Sequence, residues 1–123
     1  MAEFTRNLEW RQRNTEYSTS DEYDQTTAAT TDTCVITHPY VKLDSTAGAV
    51  TTFTLPNGSP GQMLKIELET DGGNVDVVPT TASGWSKVEL DDAGDSVVLL
   101  YANDTTGWVI LAVFGLTAQP ARS

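Results

Sequence analysis

The sequence predicts an all-β protein, a small β-sandwich or jelly-roll-like domain preceded by an extended N-terminal arm. Residues 64–70 alternate apolar and charged side chains, as does a strand with one face in water. Residues 97–101 and 108–114 do not alternate, so both faces of these two strands are expected to leave water. Clusters of Gly, Asp, Asn and Pro separate the short strand-like segments, a spacing typical of sandwiches and jelly rolls.

The first 32 residues are predicted to form the arm. Residues 3–13 can form one short amphipathic helix, because Phe4 and Leu8 are spaced i and i+4. Residues 14–33 are polar and rich in threonine, and this composition buries too little apolar surface to fold alone. We therefore expect a β-sandwich domain over 33–118 and a short tail over 119–123.

From residue 34 onward the pattern is that of strands separated by turns. Turn-forming residues such as Asp44–Gly48, Pro56–Gly61 and Asp91–Asp95 end one segment and begin the next. The predicted strands cover residues 34–38, 40–43, 50–55, 62–70, 74–78, 85–90, 96–102 and 107–114.

The last two strands raise the question of what covers their second face, because a small sandwich buries one face of each sheet. A second copy of the chain is the simplest cover. We assign the aliphatic face to the core, namely Val98, Leu100, Val109, Leu111 and Val113. Aromatic residues are enriched at interfaces, so the other face is assigned to the contact between subunits, namely Leu99, Tyr101, Trp108, Ile110 and Phe114. The reverse assignment remains open.

The composition limits the classes of partner. The net charge is −10, from 17 acidic and 7 basic residues, and such a surface repels nucleic acid and anionic membranes. The single cysteine, Cys34, excludes an internal disulfide. No signal-peptide pattern opens the sequence and no apolar run reaches the ~18 residues of a membrane helix, so we expect synthesis in a cytoplasm.

Few residues suggest chemistry, and we expect no catalytic residue, metal, cofactor or small-molecule substrate. Cys34 and His38 are too few to complete a zinc site. The loop aspartates Asp91, Asp92 and Asp95 could offer oxygens to calcium, although turn formation explains them better. Trp85 and Trp108 could form a platform for a sugar, although a place in the core or an interface is commoner for tryptophan.

The segment 4–13 is the best candidate for binding another protein. It combines apolar and basic side chains in a stretch without a core of its own. The predicted docking residues are Phe4, Arg6, Leu8, Trp10, Arg11 and Arg13.

Three runs of the sequence resemble a module of tailed-phage virion proteins, found in capsid decoration (cement) proteins, head fibres and fibre tips. The runs are Phe53–Gln62, Thr70–Pro79 and Leu90–Ile110, and the resemblance covers about 48–115. The last run is the most specific, with a Gly-Asp turn between strands and Gly107-Trp108 opening the final one. The resemblance implies a trimeric β-module on a virion surface, and this family carries no reaction to transfer.

The sequence therefore leads us to expect a phage capsid decoration protein. It would form a homotrimer, bind the major capsid protein through residues 1–32 and stabilise the shell on the capsid surface. The alternative is a receptor- or glycan-binding tip module of a phage fibre or adhesin, in which exposed loop aromatics such as Trp85 would bind sugar.

Overall fold

The computed structural model describes residues 22–115, which form nine strands in two sheets. The all-β class and the two-sheet sandwich are confirmed. The strands are β1 (Glu22–Thr27), β2 (Thr31–Thr33), β3 (Tyr40–Ser45), β4 (Thr51–Leu55), β5 (Met63–Asp71), β6 (Val75–Pro79), β7 (Val88–Leu90), β8 (Ser96–Tyr101) and β9 (Trp108–Phe114).

The first six strands wind around the core as three stacked rungs. Strands β1, β3 and β5 are parallel neighbours in one sheet, and β2, β4 and β6 are parallel neighbours in the other. Each pair of successive strands therefore crosses from sheet to sheet, as in a short β-helix. A jelly roll is built from antiparallel strands, so the jelly-roll connectivity expected from the sequence does not describe these six strands.

The last three strands close the winding with antiparallel pairs. Strand β7 pairs with β6, β8 pairs with β5, and β9 pairs with β8. The five-stranded sheet has the order β1-β3-β5-β8-β9, and the four-stranded sheet has the order β2-β4-β6-β7.

The core lies between the two sheets and is filled by alternate residues of every long strand. Its largest fully buried side chains are Trp108, Tyr101 and Phe53. The indole Nε1 of Trp108 donates to the carbonyl oxygen of Pro56 at 2.8 Å, and the hydroxyl of Tyr101 donates to Asp104 Oδ1 at 2.6 Å. Both large side chains are thus buried with their polar groups satisfied, as burial requires.

The domain begins earlier than predicted, because β1 and the first two residues of β2 lie within residues 1–32, which were assigned to the arm. Strand β1 lacks apolar alternation, and its inward positions carry polar groups. Gln25 Nε2 donates to the carbonyl oxygen of Thr33 at 2.8 Å, and its Oε1 accepts from the Val35 backbone N–H at 3.0 Å. Strand β1 is therefore held by parallel pairing with β3 and by the hydrogen bonds of Gln25, although its polar composition predicted that it lies outside the fold. The predicted helix 3–13 and the tail 119–123 lie outside the described residues.

The predicted strand 34–38 is wrong, because residues 34–39 form a loop, in which Cys34 remains buried in the core. The strand predicted at 85–90 begins at Val88. The turn predicted before the last strand is confirmed by the conformation of its glycine. Gly107 has φ +72° and lies so close to the carbonyl oxygen of Thr81 that a Cβ atom would overlap it. Only glycine meets both conditions at this turn.

Candidate functional site

The most unusual surface is the apolar half of the outer face of the five-stranded sheet. It consists of side chains from β5, β8 and β9 that point away from the core, and we call it the outer patch. Three of the five exposed large hydrophobic residues of the described chain belong to it, with 45% exposure for Met63, 50% for Leu111 and 52% for Phe114. Their half-buried companions on the same face are Val98, Leu100 and Val109.

The register makes the patch continuous across the strands. Leu100 pairs with Met63 on one side and with Val109 on the other. Between β8 and β9 the register shifts, because Val98 pairs with Ala112 and Leu99 with Ile110. Leu111 has no partner on β8 and forms a bulge, which explains why it protrudes from the sheet.

The patch ends at an unpaired strand edge. Strand β9 is the last strand of its sheet, and only its first residue is bridged on the free side, by Ala82. Among the described residues, no strand pairs with the rest of this edge. An exposed apolar edge strand is a known site of association between chains, because its backbone N–H and C=O groups are available.

The other half of the same face carries charged residues. Lys42 Nζ lies 3.6 Å from Glu22 Oε2, and Lys65 Nζ lies 3.6 Å from Glu67 Oε1. The Glu22 carboxylate is the main reason why the pKa of Lys42 is raised. Exposed pairs of this kind contribute little to stability, so their effect is to keep this half of the face hydrated.

Lys65 joins the two halves. Its ammonium lies 5.3 Å from the centre of the Tyr40 ring and 5.8 Å from the centre of the Phe114 ring. Desolvation by burial is the main reason why the pKa of Tyr40 is raised, and Glu67 adds to it. The boundary of the outer patch is therefore formed by a cation that contacts an aromatic ring on each side.

The predicted subunit interface requires correction, because the face of β8 and β9 that was assigned to it fills the core of a single chain. Leu99, Tyr101 and Trp108 are fully buried within one chain, and Ile110 packs against the same core. Of the predicted interface residues, only Phe114 lies on the outer face. The aliphatic residues assigned to the core lie outside it, except Val113, which packs against it. The largest side chains fill the core because a sandwich of this size depends on them for buried area.

The outer face of the four-stranded sheet is polar. Thr31 pairs with Thr52 and Thr33 with Thr54, and all four threonines are exposed. Lys87 on the same face lies 3.4 Å from Asp76 and 3.0 Å from Glu89. The chain thus has one polar outer face and one that is half apolar.

The residues considered for chemistry take structural positions. Burial and the nearby Asp32 raise the pKa of the Cys34 thiol to about 12. The carboxylate of Asp95 is buried and accepts from the backbone N–H groups of Asp91 and Asp92, at 2.9 and 3.1 Å. Trp85 is 5% exposed, and its Nε1 donates to the Trp108 carbonyl oxygen at 2.9 Å.

Two further findings concern the described residues as a set. Residues 22–115 contain no group of three or more His, Cys, Asp or Glu side chains placed to hold a metal ion. The same residues contain no helix with the length and apolar character that crossing a membrane requires.

The predicted docking residues Phe4, Arg6, Leu8, Trp10, Arg11 and Arg13 lie outside the described residues. The outer patch was not identified as such from the sequence, although the missing alternation in β8 and β9 pointed to the correct two strands. No protein-family model matches the chain, and no curated protein matches it significantly.

Proposed function

We propose that the chain is a structural virion protein, a capsid decoration (cement) protein that associates into a homotrimer and binds the major capsid protein. The observation that carries the proposal is the outer patch. Apolar side chains on the second face of β8 and β9 remain in water in a single chain, and association would cover them. The resemblance of residues 48–115 to phage surface modules supports the same class of protein.

The mechanism is binding alone and involves no reaction, cofactor, nucleic acid or membrane. Three outer patches meeting around a threefold axis would bury the exposed parts of Met63, Leu111 and Phe114. A trimer matches the local threefold symmetry of a shell, and each docked trimer would link neighbouring capsid subunits. Because the trimer would bind the assembled shell and not the free capsid subunits, binding would stabilise the shell by mass action.

The segment that precedes β1 is the proposed anchor. It combines three arginines with Phe4, Leu8 and Trp10, so it offers both charge-assisted hydrogen bonds and apolar contact to the major capsid protein. Three anchors on one trimer act together, and linked sites bind far more strongly than one alone. Under this proposal the protein is made in the host cytoplasm and resides on the capsid surface.

Two measurements test the proposal. Light scattering of the purified chain should give about three times the 13.3 kDa of one copy. Co-sedimentation with empty capsids should retain the protein at a fixed copy number per shell. A monodisperse monomer that does not sediment with capsids would contradict the proposal.

The alternative, a glycan-binding tip module, has no observation of its own in the described residues. It depends on exposed tryptophan in the loops, whereas Trp85 and Trp108 are buried and both indole N–H groups donate to backbone carbonyls.

A further inference from the structure

The alternation of the strands gives the domain two ends of different chemistry. Loops 34–39, 56–62, 80–87 and 102–107 lie together at the end where β1, β3, β5 and β9 begin, and we call this the docking end. Loops 28–30, 46–50, 72–74 and 91–95 lie at the opposite end, which we call the acidic end. Hydrogen bonds within each set support this grouping, for example from the Ser83 hydroxyl to the Thr106 carbonyl oxygen and from the Gly48 N–H to the Gly72 carbonyl oxygen.

The two ends differ in charge. The loops of the acidic end contain three aspartates and no basic residue, and Asp71 closes the adjoining strand β5. The four loops of the docking end contain a single acidic residue, Asp104, together with Lys87 and His38. In a chain of net charge −10, the docking end is thus a weakly charged surface.

A cavity of about 370 Å³ opens at the docking end. It is lined by Ile36, Thr37, His38, Pro39, Gly61, Gln62 and Met63. Gln62 links the two loops that line the cavity, because its Nε2 donates to the Ile36 carbonyl oxygen at 2.7 Å. Within its own loop, its Oε1 accepts from the Ser59 N–H at 2.9 Å.

The cavity is also continuous with two other features of the chain. Met63 belongs both to its lining and to the outer patch. The imidazole of His38 stacks on the ring of Tyr23, which is the second residue of β1. The cavity thus lies between the outer patch and the point at which the N-terminal segment joins the domain.

We infer that the docking end faces the protein shell, that its cavity accepts a side chain of the shell protein, and that the acidic end points outward into solvent. This inference rests on the proposed function. The chain enters the domain at the docking end, and the segment before it, the proposed anchor, carries arginines at positions 6, 11 and 13. A partner surface that pairs with arginine carries acidic groups, and these groups would repel the acidic end but not the docking end.

The lining fixes the chemistry of the inserted side chain. Ile36, Pro39 and Met63 provide apolar contacts, whereas Thr37, His38 and Gln62 provide polar ones. A tyrosine-like side chain, with an apolar body and a polar tip, suits such a lining.

Two single substitutions test the orientation by charge. Ser59→Glu adds an acid to an exposed loop position of the docking end, and Ala93→Glu adds the same acid to an exposed loop position of the acidic end. We expect Ser59→Glu to weaken co-sedimentation with empty capsids by about tenfold or more, because like charges would meet at the contact. Ala93→Glu should bind as the unsubstituted chain does.

A labelling experiment gives a second readout that does not depend on affinity. Ser59→Cys and Ala93→Cys place one accessible thiol at either end, while the native Cys34 is 3% exposed and stays silent. On capsid-bound protein, maleimide should label Ala93→Cys at the rate of free protein and Ser59→Cys much more slowly.

The outcomes separate the two proposals. Failure of the unsubstituted chain to bind capsids would overturn the proposed function and this inference together. Normal binding with protection of Ala93→Cys, or with a loss caused by Ala93→Glu and not by Ser59→Glu, would overturn the orientation alone.

Discussion

The two edge strands of the five-stranded sheet, β1 and β9, differ in how well they are protected against pairing with another chain. Strand β1 presents Glu22 and Asp24 on its outer face, and charges on an edge strand oppose pairing with another chain. Strand β9 carries no charged residue and ends at the exposed Phe114. With four strand spacings between them, the edges lie about 19 Å apart at ~4.8 Å per spacing. Under the proposed function, the chain guards the β1 edge with charge and leaves the β9 edge for assembly.

The strongest test of the β9 side uses two neighbouring leucines. Leu99→Asp places a carboxylate in the core and should destabilise the fold by at least ~3 kcal/mol, enough to unfold much of a marginal domain. Leu100→Asp places the same group in the outer patch, where water reaches it, and should yield a folded monomer. Circular dichroism and light scattering distinguish the two results. If Leu100→Asp remains trimeric, the copies associate through another surface.

The converse test removes one of the two outer-face charges of β1. Asp24→Val should turn the guarded edge into a second apolar edge, so the protein should form assemblies larger than the trimer at high concentration. Because Asp24 is exposed, the melting temperature of the dilute protein should change by only a few degrees. Asp24→Asn provides the matched control, since it removes the charge without adding an apolar surface. Unchanged assembly in Asp24→Val would show that the charge of Asp24 does not guard this edge.

A smaller effect, the loss of folding stability at alkaline pH, distinguishes the β1 side of the domain from the β9 side. Burial foremost raises the pKa of Cys34, beside β2, from 9.0 to about 12. The hydrogen bond to Asp104 foremost raises the pKa of Tyr101, at the end of β8, from 10.0 to about 12. Both groups keep their protons to a higher pH when folded than when unfolded. Their stabilising contribution is therefore complete below about pH 9 and is lost as the pH rises toward 12.

Thermal melts between about pH 8 and pH 11 measure this loss. Cys34→Ser and Tyr101→Phe should each make the alkaline fall in melting temperature shallower. The two variants thereby divide the loss between the β1 side and the β9 side of the domain. An equally steep fall in both would mean that other groups cause it.

The sequence predicted most of the elements with apolar patterns and missed β1 and β2, which lack them. The apolar run at 34–38 was predicted as a strand and forms a loop. Strands β3 to β6, β8 and β9 lie within about two residues of their predicted places. Strand β1 was missed because its buried positions are Gln25 and Thr27, and the hydrogen bonds that hold Gln25 come from residues beyond β1. The parallel pairing was missed because strand length and turn composition are the same for either direction.

The candidate site was only half predictable. Continuous apolar runs predicted apolar side chains on both faces of β8 and β9, but the choice of the core face depended on acceptors for Trp108 and Tyr101. These acceptors are the Pro56 carbonyl, 52 residues away, and Asp104. The cavity at the docking end had no sequence signal at all, because it forms where two loops distant in sequence meet.

The position of β1 also determines how the domain would respond to mechanical load. A pull from the N-terminal segment enters at Glu22 and, if directed toward the docking end, runs along the axis of β1. Its backbone hydrogen bonds to β3 cross that axis and would share the tension in shear, instead of opening one after another as in a zipper. Under the proposed function, an expanding capsid that pulled on the N-terminal segment would thus load the domain in the direction in which a strand is hardest to extract.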